Sequence, residues 1–336
     1  MWLISNLEMI PVPSIDLTSE SSDSYIVTFP RDWSPVRESM HVLGCMLQPP
    51  VLVPGYGQNI YHVVCGYKRI RAAIDLGWEN IEARVLDLEQ YTRAEIFKIS
   101  VADNMFSGGL NPVEKSIALH RFQSITGQHG VSQLENLCLL LGIPPSEEVI
   151  NQYLALDQLG NGMKMALAKG DLTINQAQLF LQLNEDDRNA VFSIVNSLKC
   201  NSNEIRIIVE GFQEIAKKRG TTESEITRDL EIIKICSGME ISARERTIKL
   251  MDHLHGLRYP YRTRFENEFE AERKKMHLPN YVQITPSPYF EGNWLCMSAK
   301  FSNPSQSEEL IRKLSLPENK EILQTLFKFV DGSYKI

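Results

Sequence analysis

The chain has 336 residues, of which 43% are hydrophobic and 23% are charged. This composition is ordinary for a soluble globular protein, and the length predicts about two or three domains. The formal net charge of −7 excludes a protein that binds nucleic acid through an overall positive field. Any affinity for DNA must therefore come from a local basic patch.

The six cysteines are scattered, and no C-x-x-C pair occurs. That spacing argues against a zinc ribbon or a thioredoxin-type site. The first residues lack the charged and apolar regions of a signal peptide, and no run of about eighteen apolar residues occurs. We therefore expect a cytoplasmic protein without membrane association.

In chain order, short strands and helices alternate over residues 1–110, including a β-rich stretch at Tyr25–Phe29. This alternation predicts a small α/β or α+β domain. Residues 111–220 show helical periodicity broken by glycine-rich turns, which predicts an all-helical domain with a helix-turn-helix. Residues 221–278 are predicted to form a charged helical connector. A hairpin pattern followed by two helical stretches predicts a small α+β module at 279–336, so the predicted fold class is α+β.

The stretch Gly66–Ala73 follows a predicted strand and opens a predicted helix. Glycine lets the backbone approach a ligand closely, and the first turn of a helix offers free N–H groups to an anion. Arg69 and Arg71 add charged donors suited to phosphate oxygens. An amphipathic helix with a solvated basic face explains the same spacing, so both interpretations stay open here.

Asp103 and Asn104 stand at the end of a later predicted helix. A carboxylate beside an amide can hold a hard cation or a ribose hydroxyl. Plain helix termination before a Gly108-Gly109 loop is the competing interpretation. Asn111-Pro112-Val113-Glu114 is typical of a helix start, with Asn as the N-cap.

Three stretches together resemble the ParB/sulfiredoxin superfamily. Its ParB members show L-x-Q-P, G-E-R-R-x-R-A and E-N-x-Q-R-x-x-L-N-P-x-E in this order. Here these motifs read Met46-Leu47-Gln48-Pro49, Gly66–Ala73 and Asp103–Glu114, within a resemblance that covers roughly residues 8–215. The resemblance implies a domain that binds CTP with Mg²⁺, followed by a helix-turn-helix region that reads a partition site on DNA.

The resemblance also implies roles for single residues. Gln48 and Pro49 would lie near the base, and Asp103 and Asn104 would face the metal, with Asn104 also a nucleotide ligand. The implied triphosphate ligands are Gly66, Lys68, Arg69 and Arg71. A homodimer and a ParA-type ATPase partner are further expectations that the family carries.

The departures from the motifs bear on turnover. Tyr67 stands where the ParB motif has the Glu that assists hydrolysis, and Phe106 and Ser107 replace the motif Gln and Arg. A phenol is a poor base at neutral pH, where a carboxylate is ionised. We therefore expect nucleotide binding with, at most, the activity of a slow CTPase. A sulfiredoxin activity is not expected, because that family has its catalytic cysteine at the position of Tyr67.

Val131–Leu141 and Ser146–Leu159, joined by a turn at Gly142, match a helix-turn-helix. The span carries four acids and no Lys, Arg or His, and such a charge suits a DNA backbone poorly. The candidate base contacts on the second helix are Asn151, Gln152 and Tyr153.

The segment Arg244–Arg264 carries a surplus of four positive charges, interleaved with two tyrosines. This mixture can grip a nucleic-acid backbone and stack on bases. Its candidate DNA ligands are Arg258, Arg262 and Arg264. An exposed connector with i,i+4 ion pairs is the alternative interpretation.

The function predicted from the sequence is that of a ParB-like, DNA-associated protein that uses CTP as a switch. Chromosome or plasmid partition, or related DNA regulation, is the expected setting, and DNA binding would place the protein on the nucleoid. The alternative is a degenerate ParB relative that serves as a protein-interaction module without DNA reading or nucleotide turnover. The acidic helix-turn-helix and the altered motif residues favour that alternative.

Overall fold

The structure of the chain is a computed structural model that describes residues 5–18, 24–55, 59–127, 130–238 and 240–334. The chain forms two compact units, Met1–Asn196 and Ser197–Ile336. The finer division into four domains that the sequence suggests stays a prediction. The predicted α+β class is confirmed, because a small sheet comes first, helices follow, and two strands return near the end.

Within the described residues, the first unit begins with a five-stranded sheet in the order β1-β5-β3-β4-β2. The β1–β5 and β3–β4 pairs are antiparallel, and the β3–β5 and β2–β4 pairs are parallel. The strands are β1 Ser5–Pro11, β2 Ile15–Asp16, β3 Val51–Pro54, β4 Tyr61–Cys65 and β5 Asn80–Leu86. In β5, Ile81, Ala83 and Val85 are buried at alternate positions, the pattern of a strand with one face on a core.

Helices pack on the sheet and extend the first unit beyond it. They are α1 Ser34–Leu43, α2 Tyr67–Asp75, α3 Arg93–Phe106, α4 Pro112–Thr126, α5 Val131–Leu141, α6 Glu147–Ala155, α7 Asn161–Lys169, α8 Ile174–Leu181 and α9 Glu185–Asn196, with 3-10 turns at Val12–Ser14 and Leu156–Gln158. Thr92 caps α3 and Asn111 caps α4, and the backbone N–H of each donates in return to the carboxylate of a glutamate three residues later. The helix start predicted at Asn111 is therefore confirmed.

Two cores lie on opposite faces of the sheet, because neighbouring residues of β3 point to opposite sides. Leu52 packs with Ile70 of α2 in one core. Val51 and Val53 pack with Phe97 of α3 in the other. The second core continues without a break through α4 into α5 and α6, so the sheet and the first helices after residue 110 share one hydrophobic interior.

The second unit is helical, with a two-stranded hairpin. Its elements are α10 Ser202–Arg219, α11 Glu223–Ile226, α12 Leu230–Ser237, α13 Ala243–Arg258, α14 Pro260–Lys274, β6 Val282–Pro286, β7 Leu295–Ala299, α15 Pro304–Leu314 and α16 Pro317–Val330, with a 3-10 turn at Pro288–Phe290. The hairpin and the two helices after it agree with the strands and helices predicted for residues 279–336. Aromatic rings hold this part together, since Phe265, Phe269 and Phe329 pack edge to face at 5.0 to 5.4 Å.

The β-rich stretch Tyr25–Phe29 was expected to be a strand, and this prediction was wrong. The segment has no regular secondary structure, although residues 24–27 are buried. The Ser24 carbonyl accepts a hydrogen bond from Arg121 of α4 at 2.7 Å, and the Tyr25 carbonyl accepts one from Ser100 of α3 at 3.0 Å. Side chains of helices thus satisfy the backbone that a neighbouring strand would otherwise satisfy.

Among the described residues, no helix is both long and apolar enough to cross a membrane.

Candidate functional site

Gly66 makes the turn from β4 into α2 and is the N-cap of the helix. Its φ of 91° lies in the left-handed region, which favours glycine. A Cβ at this position would lie 2.8 Å from the Cβ of Pro50. The residue therefore has to be glycine for two reasons, the backbone conformation and the close approach of the segment after Gln48-Pro49.

Arg69 joins the three motif segments that the sequence singles out. Its Nη1 donates a hydrogen bond to the Gln48 carbonyl at 2.6 Å and lies 3.5 Å from the Pro49 carbonyl. Its Nη2 lies 3.8 Å from Oδ2 of Asp103. The side chain of Arg69 is 20% exposed and that of Asp103 is 42% exposed, so the junction stays open to a ligand. Segments far apart in the sequence thus meet at one guanidinium.

Tyr67 occupies the position of the motif glutamate and is 4% exposed. Its hydroxyl accepts a hydrogen bond from Nε of Arg71 at 3.2 Å. The guanidinium of Arg71 also lies 5.6 Å from the Trp33 ring, and that of Arg31 lies 5.8 Å from the Tyr67 ring. These are cation–π distances, so Tyr67 holds arginines in place where the family motif has a carboxylate.

The loop that supplies Arg31 and Trp33 was not recognised from the sequence as part of the site. Glu114 fixes this loop, because its Oε1 accepts the Phe29 N–H at 3.0 Å while Asn111 donates to the Phe29 carbonyl at 2.6 Å. Burial raises the pKa of the Glu114 carboxyl, whereas the Phe29 N–H, the Asn111 N–H and the charge of Lys68 act against that rise. The only signal in the sequence was the motif glutamate itself.

Asp103 and Asn104 lie in the last turns of α3, not beyond its end. The amide nitrogen of Asn104 donates a hydrogen bond to the Ser100 carbonyl of its own helix at 2.8 Å. This bond fixes the orientation of the Asn104 amide. Cys65 lies beside Asp103 at the end of β4, where burial and then the nearby carboxylate raise the pKa of its thiol. A buried thiol with a raised pKa is a poor nucleophile.

The described residues contain no cluster of three or more His, Cys, Asp or Glu side chains that could enclose a metal ion. Mg²⁺ does not need such a cluster when a nucleotide supplies phosphate oxygens, because one or two protein ligands then suffice. The exposed carboxylate of Asp103 and the oxygen of Asn104 fit that limited donor set.

A cavity of about 370 Å³ opens beside Gln48 and Arg69. Met40 and Leu43 of α1 and Leu47 contribute much of its apolar wall. Small-molecule sites commonly combine a concave apolar surface of this size with a few polar groups. The cavity gives the junction at Arg69 room for an organic group next to its charged donors.

The predicted helix-turn-helix helices are present as α5 and α6. Gly142 ends α5 in the left-handed conformation, and the Ser146 hydroxyl accepts the Val149 N–H at 3.3 Å as the cap of α6. Among the candidate base contacts, Asn151 is exposed, whereas Tyr153 packs against the core and its pKa is raised by burial.

Gln152, the third candidate on α6, is half-buried, and its backbone carbonyl accepts a hydrogen bond from Gln178 of α8 at 3.0 Å. Asn151 is therefore the one of the three whose side chain is exposed to solvent.

The candidate arginines of the second unit all carry ion pairs. Arg258 makes a two-pronged pair with Glu214 of α10, and its pKa is raised chiefly by the hydrogen bond to that carboxylate. Arg262 pairs with Glu266 at 2.7 Å and Arg264 with Glu268 at 3.0 Å, both one turn along α14.

The excess of positive charge in Arg244–Arg264 is thus largely balanced by paired glutamates, most of which lie outside that segment. Lys218 of α10 adds to the basic side, because its ammonium lies 5.0 Å from the Tyr259 ring.

Comparison with known proteins points to one family. Residues 35–102 match the model of the ParB N-terminal domain. A nucleoid occlusion protein of Bacillus cytotoxicus is 26% identical over 186 residues, which make up 54% of this chain and 61% of the relative. A nucleoid occlusion protein of Bacillus mycoides gives the same identity and coverage. The match therefore spans less than two thirds of these relatives.

Solved structures of ParB proteins are similar at lower identity. ParB of Caulobacter crescentus complexed to the centromeric parS site is 19% identical, with a TM-score of 0.33, and covers 65% of this chain and 95% of its own. The same protein complexed with CTP-gamma-S has a TM-score of 0.26 and 18% identity, and covers 54% of this chain and 94% of its own. The family match thus places a stretch similar to the ParB N-terminal domain in the first unit, and the motif segments that meet at Arg69 belong to the same resemblance.

Proposed function

We propose that the first unit binds a nucleoside triphosphate, CTP by its resemblance to ParB proteins, at the junction around Arg69. The observation that supports this best is the meeting of three motif segments at one side chain. Arg69 contacts the Gln48 carbonyl and lies within 3.8 Å of Asp103. A solvated basic face would need none of these contacts, so the functional interpretation of Gly66–Ala73 is the better one.

The proposed ligands divide by chemistry. The base would lie by Gln48 and Pro49 and against the apolar wall of the neighbouring cavity. The close turn at Gly66 lets phosphate oxygens reach the N–H groups of α2, which the helix dipole favours. Charged donors to the triphosphate would be Lys68, Arg69 and Arg71.

Magnesium would be held by Asp103 and Asn104 together with phosphate oxygens, and it would neutralise part of the phosphate charge. Asp103 must then exchange its contact with Arg69 for the cation. This exchange frees the guanidinium for phosphate at the same moment, so both changes favour the bound state.

We propose binding without efficient hydrolysis. The group at the motif glutamate position is the Tyr67 phenol, which is buried and accepts a hydrogen bond from Arg71. Turnover needs a group that orients or deprotonates water. A buried phenol that holds an arginine is better suited to organising the phosphate ligands. Nucleotide binding can still act as a switch, because a ligand shifts a conformational equilibrium by its difference in affinity for two states.

We further propose that the protein is DNA-associated and acts in partition, nucleoid occlusion or related DNA regulation, as a homodimer, with a ParA-type ATPase as a further expected partner. Base contacts would come from the α6 residues Asn151, Gln152 and Tyr153. Phosphate contacts would come from Arg258, Arg262 and Arg264, each of which would exchange a glutamate for a phosphate. An interaction module without a nucleotide is the alternative, but no contact at the Arg69 junction favours it.

Thermal unfolding of the full chain with Mg²⁺ and CTP, ATP, GTP or UTP tests the nucleotide proposal. We expect CTP to raise the unfolding temperature most, because a ligand that binds only the folded state stabilises it by mass action. Arg69→Ala should lose this rise, whereas Arg84→Ala, on an exposed position of β5, should keep it. An equal rise for both variants would refute the assignment of Arg69.

A further inference from the structure

A second cavity, of about 500 Å³, lies in the first unit between the loop at Phe29–Arg31, α4 and the start of α7. None of the proposed nucleotide or DNA ligands lines it. Its polar lining residues are Arg31, Ser116, Asp157, Asn161 and Lys164. The remaining wall is apolar and includes Val113, Ile117 and Leu156. The cavity thus combines charged and apolar residues in its lining.

Ser116 is the unusual residue of this lining. It is 2% exposed, and its hydroxyl has no hydrogen-bond partner among the described residues. Buried hydroxyls in folded proteins nearly always have a partner, so an unpaired one calls for an explanation. The Ser116 oxygen is itself buried, but rotation about the Cα–Cβ bond to another staggered rotamer would bring it towards a ligand in the cavity, where it could donate a hydrogen bond.

The charges of the cavity favour an anion. The Nζ of Lys164 lies 3.1 Å from Oδ1 of Asp157, so that this one acid is already paired. Arg31 supplies a second cation. Its charge also acts on Arg121, whose pKa is lowered to about 10, first by burial and then by repulsion from Arg31. The charged residues of the lining are thus two cations and one acid, which leaves a net positive charge.

The start of α7 adds backbone N–H donors that also favour an anion. Its N-cap is Gly160, which has no side chain to accept hydrogen bonds from the first turn. Asn161, the first residue of that turn, lines the cavity. The first turn of a helix binds anions through free N–H groups and the positive end of the dipole.

We propose that this cavity binds a small organic phosphate. Lys164, Arg31 and the first turn of α7 hold the phosphate group, and Ser116 donates a further hydrogen bond. The apolar wall contacts the organic part of the ligand. Asp157 holds Lys164 in position or accepts a hydrogen bond from a hydroxyl group of the ligand. Arg31 also lies beside Tyr67 at the edge of the candidate nucleotide site, but none of the proposed nucleotide ligands lines this cavity, so the proposal does not depend on nucleotide binding.

Thermal unfolding of the full chain with inorganic phosphate and with phenyl phosphate tests the proposal. We expect a saturable rise in the unfolding temperature with both probes, and with phenyl phosphate at lower concentration because its ring meets the apolar wall. Lys164→Gln should weaken the affinity by about tenfold, since a charge-assisted bond is lost. Lys169→Gln, at the exposed end of the same helix, should bind as the parent does.

Ser116→Ala separates a ligand-binding role from a structural one. Without phosphate, this variant should unfold at the same temperature as the parent or a higher one, because it removes an unpaired buried hydroxyl. With phosphate, its rise should be smaller than that of the parent. The absence of a saturable rise in the parent would overturn the proposal. So would a rise that Lys164→Gln keeps and Arg69→Ala loses, because phosphate would then lie at the nucleotide site.

Discussion

At the residue scale, Gly66 is constrained both by its positive φ and by the nearby Pro50, and a comparison with Gly77 separates these two effects. Both Gly66 and Gly77 have a positive φ, of 91° and 74°, but only Gly66 has a neighbour that an added Cβ would strike. We predict that Gly66→Ala lowers the free energy of unfolding by about 2 to 4 kcal/mol, from backbone strain and overpacking against Pro50. Gly77→Ala should cost about 1 kcal/mol, from strain alone.

Urea unfolding of the two alanine variants measures the difference. Equal costs would show that the approach of Pro50 to Gly66 is not rigid. The turn would then have room for a side chain, and the close approach would no longer explain the glycine.

Tyr67 is the second residue whose role can be tested alone. We predict slow or absent CTP hydrolysis by the parent, because the buried phenol offers no general base. Tyr67→Glu is the single change most apt to raise the rate, since it restores a carboxylate next to the phosphate ligands. Tyr67→Phe keeps the ring beside Arg31 and Arg71 and serves as the control that adds no base.

Phosphate release, measured with and without DNA, decides the matter. Rapid release by the parent would contradict the inference from Tyr67. A rate for Tyr67→Glu no higher than that of Tyr67→Phe would show that the carboxylate alone does not restore turnover.

At the element scale, the start of α4 ties the loop with Arg31 to the helical part of the first unit. Asn111 accepts two first-turn N–H bonds, at 3.0 and 3.1 Å, and also donates to the Phe29 carbonyl. We predict that Asn111→Ala costs about 1 to 3 kcal/mol, because a cap and a loop contact are lost together. Ser146→Ala removes one longer cap bond from α6 and should cost about 1 kcal/mol or less.

Denaturant unfolding of both cap variants provides the comparison. If Asn111→Ala costs no more than Ser146→Ala, the bond to Phe29 contributes nothing, and the loop must be held by other contacts.

The helices that would meet DNA differ in their charged residues. Between Val131 and Leu159 there are four acids and no base, whereas α13 and α14 present arginines that are paired with glutamates. We predict that replacing Arg258, Arg262 and Arg264 with Ala lowers affinity for any duplex and flattens the salt slope by roughly one unit per lost phosphate contact. Because each arginine must first leave a carboxylate, the loss per contact should be modest.

Replacing Asn151 and Gln152 should instead change sequence preference and leave the salt slope as it is. Fluorescence anisotropy on a labelled duplex from about 50 to 200 mM salt measures both effects. An arginine triple variant that binds as tightly as the parent, with the same slope, would make the segment a solvated connector.

At the scale of the whole molecule, the features that sequence predicted well are those with local causes. The α4 start follows from Asn111 and Glu114 three residues apart, and the hairpin near the end of the chain follows from two β-rich stretches around a turn. Tyr25–Phe29 was misjudged because its backbone hydrogen bonds are made with side chains 75 to 85 residues away. The pairing of Arg258 with Glu214, 44 residues apart, could not be read from a charge count over one segment.

The candidate site shows the same division. Motif spacing identified Gln48, Gly66, Arg69 and Asp103, which the fold brings to one junction. The loop residues Arg31 and Trp33 lie outside the motifs and reach the site only through tertiary packing, so composition and spacing gave no sign of them.

Isothermal titration calorimetry with CTP and Mg²⁺ tests the central claim, a nucleotide site around Arg69, most directly. We predict saturable heat with one CTP per chain and weaker or no heat with ATP, GTP and UTP. Arg69→Ala should bind CTP about tenfold more weakly or worse, because it loses charge-assisted bonds of roughly 1.5 to 3 kcal/mol each. If the parent gives no heat with any of the four nucleotides at millimolar concentration, the site does not bind nucleotide and the account is wrong.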